Sequence, residues 1–319
     1  MTDWRPSASL ETLVARAALL AELRAFFAKR GVMEVETPLL AQATVTDPAI
    51  EPFTVSDGAE PAPRFLQTSP EYAMKRLLAA GAPDIYQMGK AFRSGESGRH
   101  HNPEFTMLEW YRLGWDHSAL IREVAELVCG TLGVEGWQVW PYRRLFESQL
   151  NFDPLDSGVS LSQLTDIAAA HVGPVPDQLG RDGLLDLLMS HCIEPAIRDW
   201  GVVFITDFPV SQAALARHIT VAGEAVAARF ECYAGGHELA NGYWEQVDVA
   251  LLMGQFAADR ERRAARGLPP RDEDPRLLAA QHAGLPSCAG VALGVDRLLA
   301  LQQGVESLAE VISFDWSRA

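Results

Sequence analysis

The sequence predicts an α+β fold, and three observations carry that expectation. Two pairs of extended segments read as antiparallel hairpins, Ile85 to Arg93 with Pro103 to Arg112 and Ala225 to Ala234 with His237 to Trp244. Apolar residues recur at three- and four-residue steps from Leu10 to Arg30 and again from Asp248 to Arg266, as amphipathic helices require. Finally, 48% of the 319 residues are apolar and 22% are charged, enough to bury a core and too ordered a composition for a disordered tail or a disulfide-stapled miniprotein.

The elements follow in order. Leu13, Ala17, Leu20, Leu23, Phe26 and Phe27 form one face of the first helix, which Gly31 ends. Val32 to Glu36 reads as a short strand stopped by Pro38, and Thr44 to Arg64 reads as a loop around one extended piece, Glu51 to Val55. Ser69-Pro70-Glu71 is a helix start, with a capping hydroxyl, a proline in the first turn and an acid at the positive end of the helix dipole; the helix should reach Ala80. The long hairpin loop SGESGRHHN follows. A helix should span Asp116 to Leu132, and the chain from Tyr142 to Asp199 should be mostly helical, with Ser160 and Gln163 as a capping box. Val202 to Thr206 is a buried strand, and Gly235-Gly236 is a two-residue hairpin turn. GVALGVDRLLAL closes the pattern as a small-residue strand running into a helix.

Charge and cysteines narrow the class. Lys and Arg total 27 against 42 Asp and Glu, and a net charge of −15 disfavours wholesale nucleic-acid binding. The opening MTDWRPSASL has no apolar core, so a signal peptide or membrane anchor is not expected, and the cytoplasm is the expected location. Cys129, Cys192, Cys232 and Cys288 lie far apart without a CxxC pair, as reduced thiols would.

Strand alternation places Phe105, Met107, Glu109 and Tyr111 on one face, a pattern equally met by a half-exposed strand with a solvated glutamate. A two-residue turn at Gly235-Gly236 pairs Tyr233 with Glu238 and Glu231 with Ala240. Glu231 and Glu238 then lie diagonally, roughly 7–8 Å apart, either turned to water or sharing a hard cation with phosphates. Arg93 at a strand end and Arg297 at a helix start suit a carboxylate or phosphate, or a surface ion pair.

Four segments carry a resemblance over nearly the whole chain. FFAKRGVMEVETPLL, FRSGESGRHHNPEFTMLEWY and GVALGVDRLLAL resemble motifs 1, 2 and 3 of class II aminoacyl-tRNA synthetases of the lysyl type, and HELANGYWEQ resembles their amino-acid-binding segment. The first helix begins near residue 10, which leaves no room for an anticodon-binding barrel ahead of motif 1. With FPVSQAALA, RAARGLP and ESLAEVI, the chain is therefore more similar to the stand-alone lysyltransferase paralogs that act on elongation factor P.

The resemblance implies one catalytic domain over residues 1–319, an antiparallel sheet flanked by helices, a helical insertion near 151–182, and a homodimer built through motif 1. It implies activation of (R)-β-lysine or lysine by ATP with Mg²⁺, and transfer to a lysine of elongation factor P, without tRNA or membrane. Carried over by position, Glu71 would bind the amino group near the carboxylate, Arg93 and Asn241 the carboxylate, and Glu109, Tyr111 and Glu245 the distal ammonium, with Ala292 in the pocket wall. Phe105 would stack on adenine beside Glu96, His101 and Asn102. Glu231 and Glu238 would hold Mg²⁺ and ATP, and Arg297 would grip the γ-phosphate.

Two departures stand out. The third place of motif 2 is Gly95 where the family has Glu, with Glu96 following, and Ala292 stands where lysyl-tRNA synthetases have Gly. Rival readings are a tRNA ligase lacking its second domain, an amide-forming metabolic enzyme, or a regulatory paralog without turnover. The densest basic run, Arg260, Arg262, Arg263, Arg266 and Arg271, is the expected docking guide for a protein acceptor, unless it is a solvated helix face.

Overall fold

A computed structural model describes residues 4–56, 58, 62–176 and 179–319; residues 57 and 59–61 of the expected loop, 177 and 178 of the expected insertion, and the first three residues lie outside it. The described residues group into two compact units, 1–120 with 244–319, and 121–243.

In the first unit the strand Glu104–Leu113 lies between Ile85–Phe92 and Cys288–Gly294, antiparallel to both, while Met33–Glu34 adds in parallel beside Ile85–Phe92. This register lays out the site as rows across three strands. Gln87, Glu109 and Ala292 form one row, and Ile85, Tyr111 and Gly290 the next. Helices Leu10–Ala28, Glu71–Ala79, Val249–Ala265, Pro275–Gly284 and Val295–Gln303 complete the unit. The first helix is capped as its sequence directs, the Ser9 hydroxyl accepting from Thr12 N, and buries Leu19, Leu23 and Phe27. Phe27 stacks on Tyr86 and meets Trp110 edge to face.

The second unit orders His237–Trp244, Glu224–Ala234, Val202–Pro209 and Trp137–Pro141, the last pair parallel, with His218–Val221 pairing the far part of Glu224–Ala234. Its helices Tyr142–Leu150, Leu161–Val172 and Arg181–Leu188 pack Tyr142, Phe146, Leu164, Leu184, Leu185 and Leu188 into one core. The capping box at Ser160 and Gln163 is formed. Both units thus have antiparallel-dominated strands with helices, and the α+β expectation holds.

The strand Thr54–Val55 falls within the expected extended piece Glu51 to Val55, but its partners in a small sheet, Leu40–Ala41 and Arg64–Leu66, escaped the sequence pattern, as did the strands Trp137–Pro141 and His218–Val221 and the helix Pro275–Gly284. Two- and three-residue strands are too short to show alternation. Gly235 and Gly236 make the expected turn with φ of 59° and 77°, a left-handed pair that glycine adopts without strain. The register beyond it differs from expectation. Tyr233 pairs Glu238, but a bulge between Cys232 and Tyr233 sets Glu231 opposite Asn241 rather than Ala240.

The basic run also differs from its expected role. Arg263 is fully buried, donating to the carbonyls of Pro269 and Asp47 and to Glu51. Arg271 bonds the same Glu51, Arg262 pairs with Asp259, and Arg260 with Glu273. Four of the five arginines are therefore engaged within the chain, and a docking reading through Arg262 and Arg263 is withdrawn. No helix among the described residues is long and apolar enough to cross a membrane.

One ion pair joins the first helix, the central strand and the last helix. Asp296, only 2% exposed at the start of the last helix, pairs with Arg16 at 2.7 Å and accepts from Thr106 N at 2.8 Å. Arg16 also donates to the Thr106 hydroxyl at 2.7 Å and to the Val311 carbonyl. Replacing Asp296 with Asn should leave the half-buried Arg16 guanidinium without its counter-charge. The expected loss is about 3–5 kcal/mol of folding stability, read by urea unfolding.

Candidate active site

Glu71 opens the helix Glu71–Ala79 with its amide hydrogen-bonded to the Ser69 hydroxyl, as the Ser-Pro-Glu start predicts. One turn on, Lys75 is 1% exposed, and its ammonium lies 2.6 Å from Glu71 and 2.6 Å from Glu245. Glu109 and Tyr111, two apart on one strand face, are both 2% exposed, and the Tyr111 hydroxyl donates to Glu109 at 2.8 Å. The structure therefore gathers Glu71, Glu109, Tyr111 and Glu245 around one buried point.

Their electrostatics follow from that crowding. Burial first, then the neighbouring Glu71, pushes the Glu109 carboxyl up to about 8. Burial likewise lifts Glu245 to about 7, against the opposing pull of Lys75. Lys75 itself holds its proton more tightly than usual: desolvation disfavours the charge, but the two carboxylates more than offset it. Gly290 makes the approach possible. A Cβ there would lie 2.3 Å from the Tyr111 ring and 2.5 Å from Glu245 Oε1. In the adjacent row Ala292 stands opposite Glu109, its methyl on the same face.

Arg93 follows the strand Ile85–Phe92 and carries its guanidinium 5.1 Å from the centre of the Phe105 ring. Gly95 sits in the following turn at φ 84°, a conformation that disfavours the glutamate of the family pattern, and Glu96 supplies a carboxylate 3.8 Å from Arg93. Arg297 meets His101, its Nη2 lying 2.8 Å from the imidazole Nε2. A guanidinium can only donate, so His101 accepts; burial, then Arg297, lowers its pKa and favours that neutral form. Asn102 is turned to the backbone, its amide donating to the Glu104 carbonyl and accepting from Trp316 N.

In the second unit the bulge brings Glu231, Glu238 and Asn241 to one strand face despite the odd spacing of the last two. Glu231 is buried, accepts from Tyr233 at 2.6 Å, and is bonded by Arg229, which also donates to Asn241. Burial raises the Glu231 pKa; Glu238 raises it further while Arg229 opposes. Two oxygen donors that repel one another in this way suit a hard divalent cation, so the pair fits Mg²⁺. Among the described residues, no group of three or more His, Cys, Asp or Glu is disposed as a metal site. All four cysteines are free.

Lys75, Arg229, Tyr233 and Gly290 were not read from sequence as part of these clusters. Lys75 had a signal, its four-residue spacing from Glu71, and Arg229 and Tyr233 had theirs, two residues either side of Glu231 on one strand face.

The clusters and strand order define a nucleotide-dependent synthetase fold, and the chain belongs to the class II tRNA synthetases (D, K and N), whose family profile matches residues 1–317. It is 48% identical over 322 aligned positions to proteins of Salmonella gallinarum and Salmonella paratyphi B named elongation factor P (R)-β-lysine ligase, with 99% of this chain and 98% of each relative covered.

The raised pKa of Glu109 has a consequence for stability. Its folded pKa of about 8 lies above the ordinary 4.5, so the native protein is increasingly disfavoured as pH rises between those values. Glu109→Gln should therefore gain stability relative to the unaltered protein by about 1.4 kcal/mol per pH unit across that window. Paired urea titrations at pH 5 and pH 8 would show it; a constant difference would contradict an uncharged Glu109 at neutral pH.

Proposed function

We propose that the protein uses ATP to activate (R)-β-lysine or lysine as an acyl-adenylate and transfers the acyl group to a lysine side chain of elongation factor P. The observation that carries the reading is the buried pair Glu109 and Glu245 with the half-buried Glu71, which suits a substrate bearing two ammonium groups. Membership of the class II family and the names of the relatives support the same chemistry.

In this reading Glu71 takes the amino group near the carboxylate, Glu109, Tyr111 and Glu245 take the distal ammonium, and Arg93 with Asn241 holds the carboxylate that attacks the α-phosphate. Phe105 offers its ring to adenine, beside Glu96 and His101. Arg297, oriented by His101, holds the γ-phosphate and stabilises charge developing on pyrophosphate. Glu231 and Glu238 would hold Mg²⁺, which when bound supplies electrostatic stabilisation of the phosphates. The acceptor amine then attacks the activated carbonyl, and AMP leaves. Positioning and charge carry the chemistry, with no covalent enzyme intermediate.

The whole chain is read as one catalytic region with a helical insertion near 151–182, acting in the cytoplasm. A homodimer through motif 1 is supported by the exposed apolar stripe Leu10, Val14, Ala17, Ala21, Ala25 and Ala28 on the first helix. The charge of −15 disfavours tRNA as acceptor.

ATP–pyrophosphate exchange with each amino acid, followed by transfer assays with elongation factor P and tRNA, tests the reading. Exchange should depend on a diamino acid and Arg297→Ala should lower it by about a hundredfold or more with the fold intact. Efficient charging of tRNA would overturn the choice of acceptor.

A separate outcome is expected at the pocket wall. Ala292→Gly removes the methyl beside Glu109 and should move the ratio of kcat/KM values towards L-lysine by about tenfold or more. An unchanged ratio would place the selectivity elsewhere.

A further inference from the structure

The acidic pocket already contains a cation of its own. Lys75 is buried to 1% exposure, and two carboxylates from separate segments, Glu71 on its own helix and Glu245 after the strand His237–Trp244, converge on its ammonium at 2.6 Å each. A buried ammonium is strongly disfavoured unless its partners are well placed. One carboxylate would pair it; the structure supplies two. Glu245 divides its oxygens, Oε2 to Lys75 and Oε1 towards Gly290 and the Tyr111 ring. The pair thus holds Glu245 at a fixed orientation beside Glu109.

The remaining ionisable groups around Lys75 are acidic or phenolic. Glu109 and Tyr111 face it from the strand Glu104–Leu113, and Tyr72 lies on its own helix, influenced in turn by Asp259 and Asp274. Gln281 is the buried polar side chain on the neighbouring helix Pro275–Gly284. Once a bound substrate ammonium draws the proton off Glu109, three carboxylates and one ammonium leave two negative charges. A diamino acid brings two ammonium groups.

We propose that Lys75 is a positioning residue that sets the charge and geometry of the amino-acid pocket, orienting Glu71 and Glu245 and reducing three negative charges to the two that a diamino acid neutralises. The inference rests on reading Glu71, Glu109 and Glu245 as the diamino-acid pocket. It explains why three acids, two of them buried, can stand together, and why an ordinary amino acid with one ammonium leaves a charge unmatched. It also separates two tasks within one helix turn: Glu71 meets substrate, and Lys75 meets Glu71.

The test compares the unaltered protein with Lys75→Met and Lys75→Arg, following pyrophosphate exchange against pH with the diamino acid and ATP varied separately. Without the ammonium the carboxylates keep their protons to higher pH. The acid limb of kcat/KM for the diamino acid should therefore rise by about one pH unit in Lys75→Met, and kcat/KM at pH 7 should fall about tenfold or more. The KM for ATP should change less than about threefold, since that contact is elsewhere. Lys75→Arg keeps the charge and should keep the limb in place. An unmoved limb in a folded Lys75→Met protein, with only a lower Tm, would show a purely structural lysine and overturn the proposal.

If Lys75→Met does not fold, the variant Lys75→Met with Glu245→Gln removes one charge of each sign; its acid limb should lie at the unaltered position, and a displaced limb overturns the proposal. Exchange by the unaltered protein that requires no diamino acid overturns the pocket reading itself, whereas normal exchange with an unmoved limb overturns only the role of Lys75.

Discussion

The contact between Asp296 and Arg16 is the constraint on which the first unit depends. Asp296 begins the last helix, Arg16 belongs to the first, and both bond Thr106 in the central strand, so three segments far apart in sequence share one buried charge pair. The neighbours of these residues inherit that fixity. Arg297 is the next residue after Asp296, and Phe105 directly precedes Thr106, so the groups assigned to the nucleotide are placed by a contact that never touches it. A buried pair of this kind adds little net stability over an apolar replacement but is costly to break from one side. Its value here is positional.

The acidic cluster is built on a different principle. The sheet rows set Glu109 between Gln87 and Ala292, and Tyr111 between Ile85 and Gly290, so spacing along the strand becomes spacing across the pocket floor. The walls come from a helix start and from the segment after a strand, which deliver Glu71 and Glu245. Burial, with the neighbouring acids adding to it, raises the proton affinity of Glu109 and Glu245, and Lys75 is the counterweight.

Much of this was legible before any coordinates. The two long hairpins, the helix start at Ser69 and the turn at Gly235-Gly236 are local signals, and local signals survive into the fold. That Glu109 and Tyr111 share one strand face follows from alternation; that the face is buried does not. The convergence of Glu245 with them does not, because it needs a strand order that no pattern states. Arg263 shows the opposite failure: its arginine-rich context reads as a solvated face, and only the loop around Asp47 and Glu51 reveals that it is interior. Lys75 was overlooked for a related reason, since a lysine on a short amphipathic helix ordinarily reaches water.

The bulge at Cys232 imposes a parity rule on the second hairpin. Ordinary strand geometry would send Glu238 and Asn241, three residues apart, to opposite sides; the extra residue turns them to the same side. Two chemically distinct side chains, a carboxylate and an amide, are therefore presented from one face by a strand only eight residues long. The hairpin consequently tolerates side-chain change more readily than change in length. An insertion that kept the bulge would carry Asn241 one place further along the strand and turn it to the side opposite Glu238.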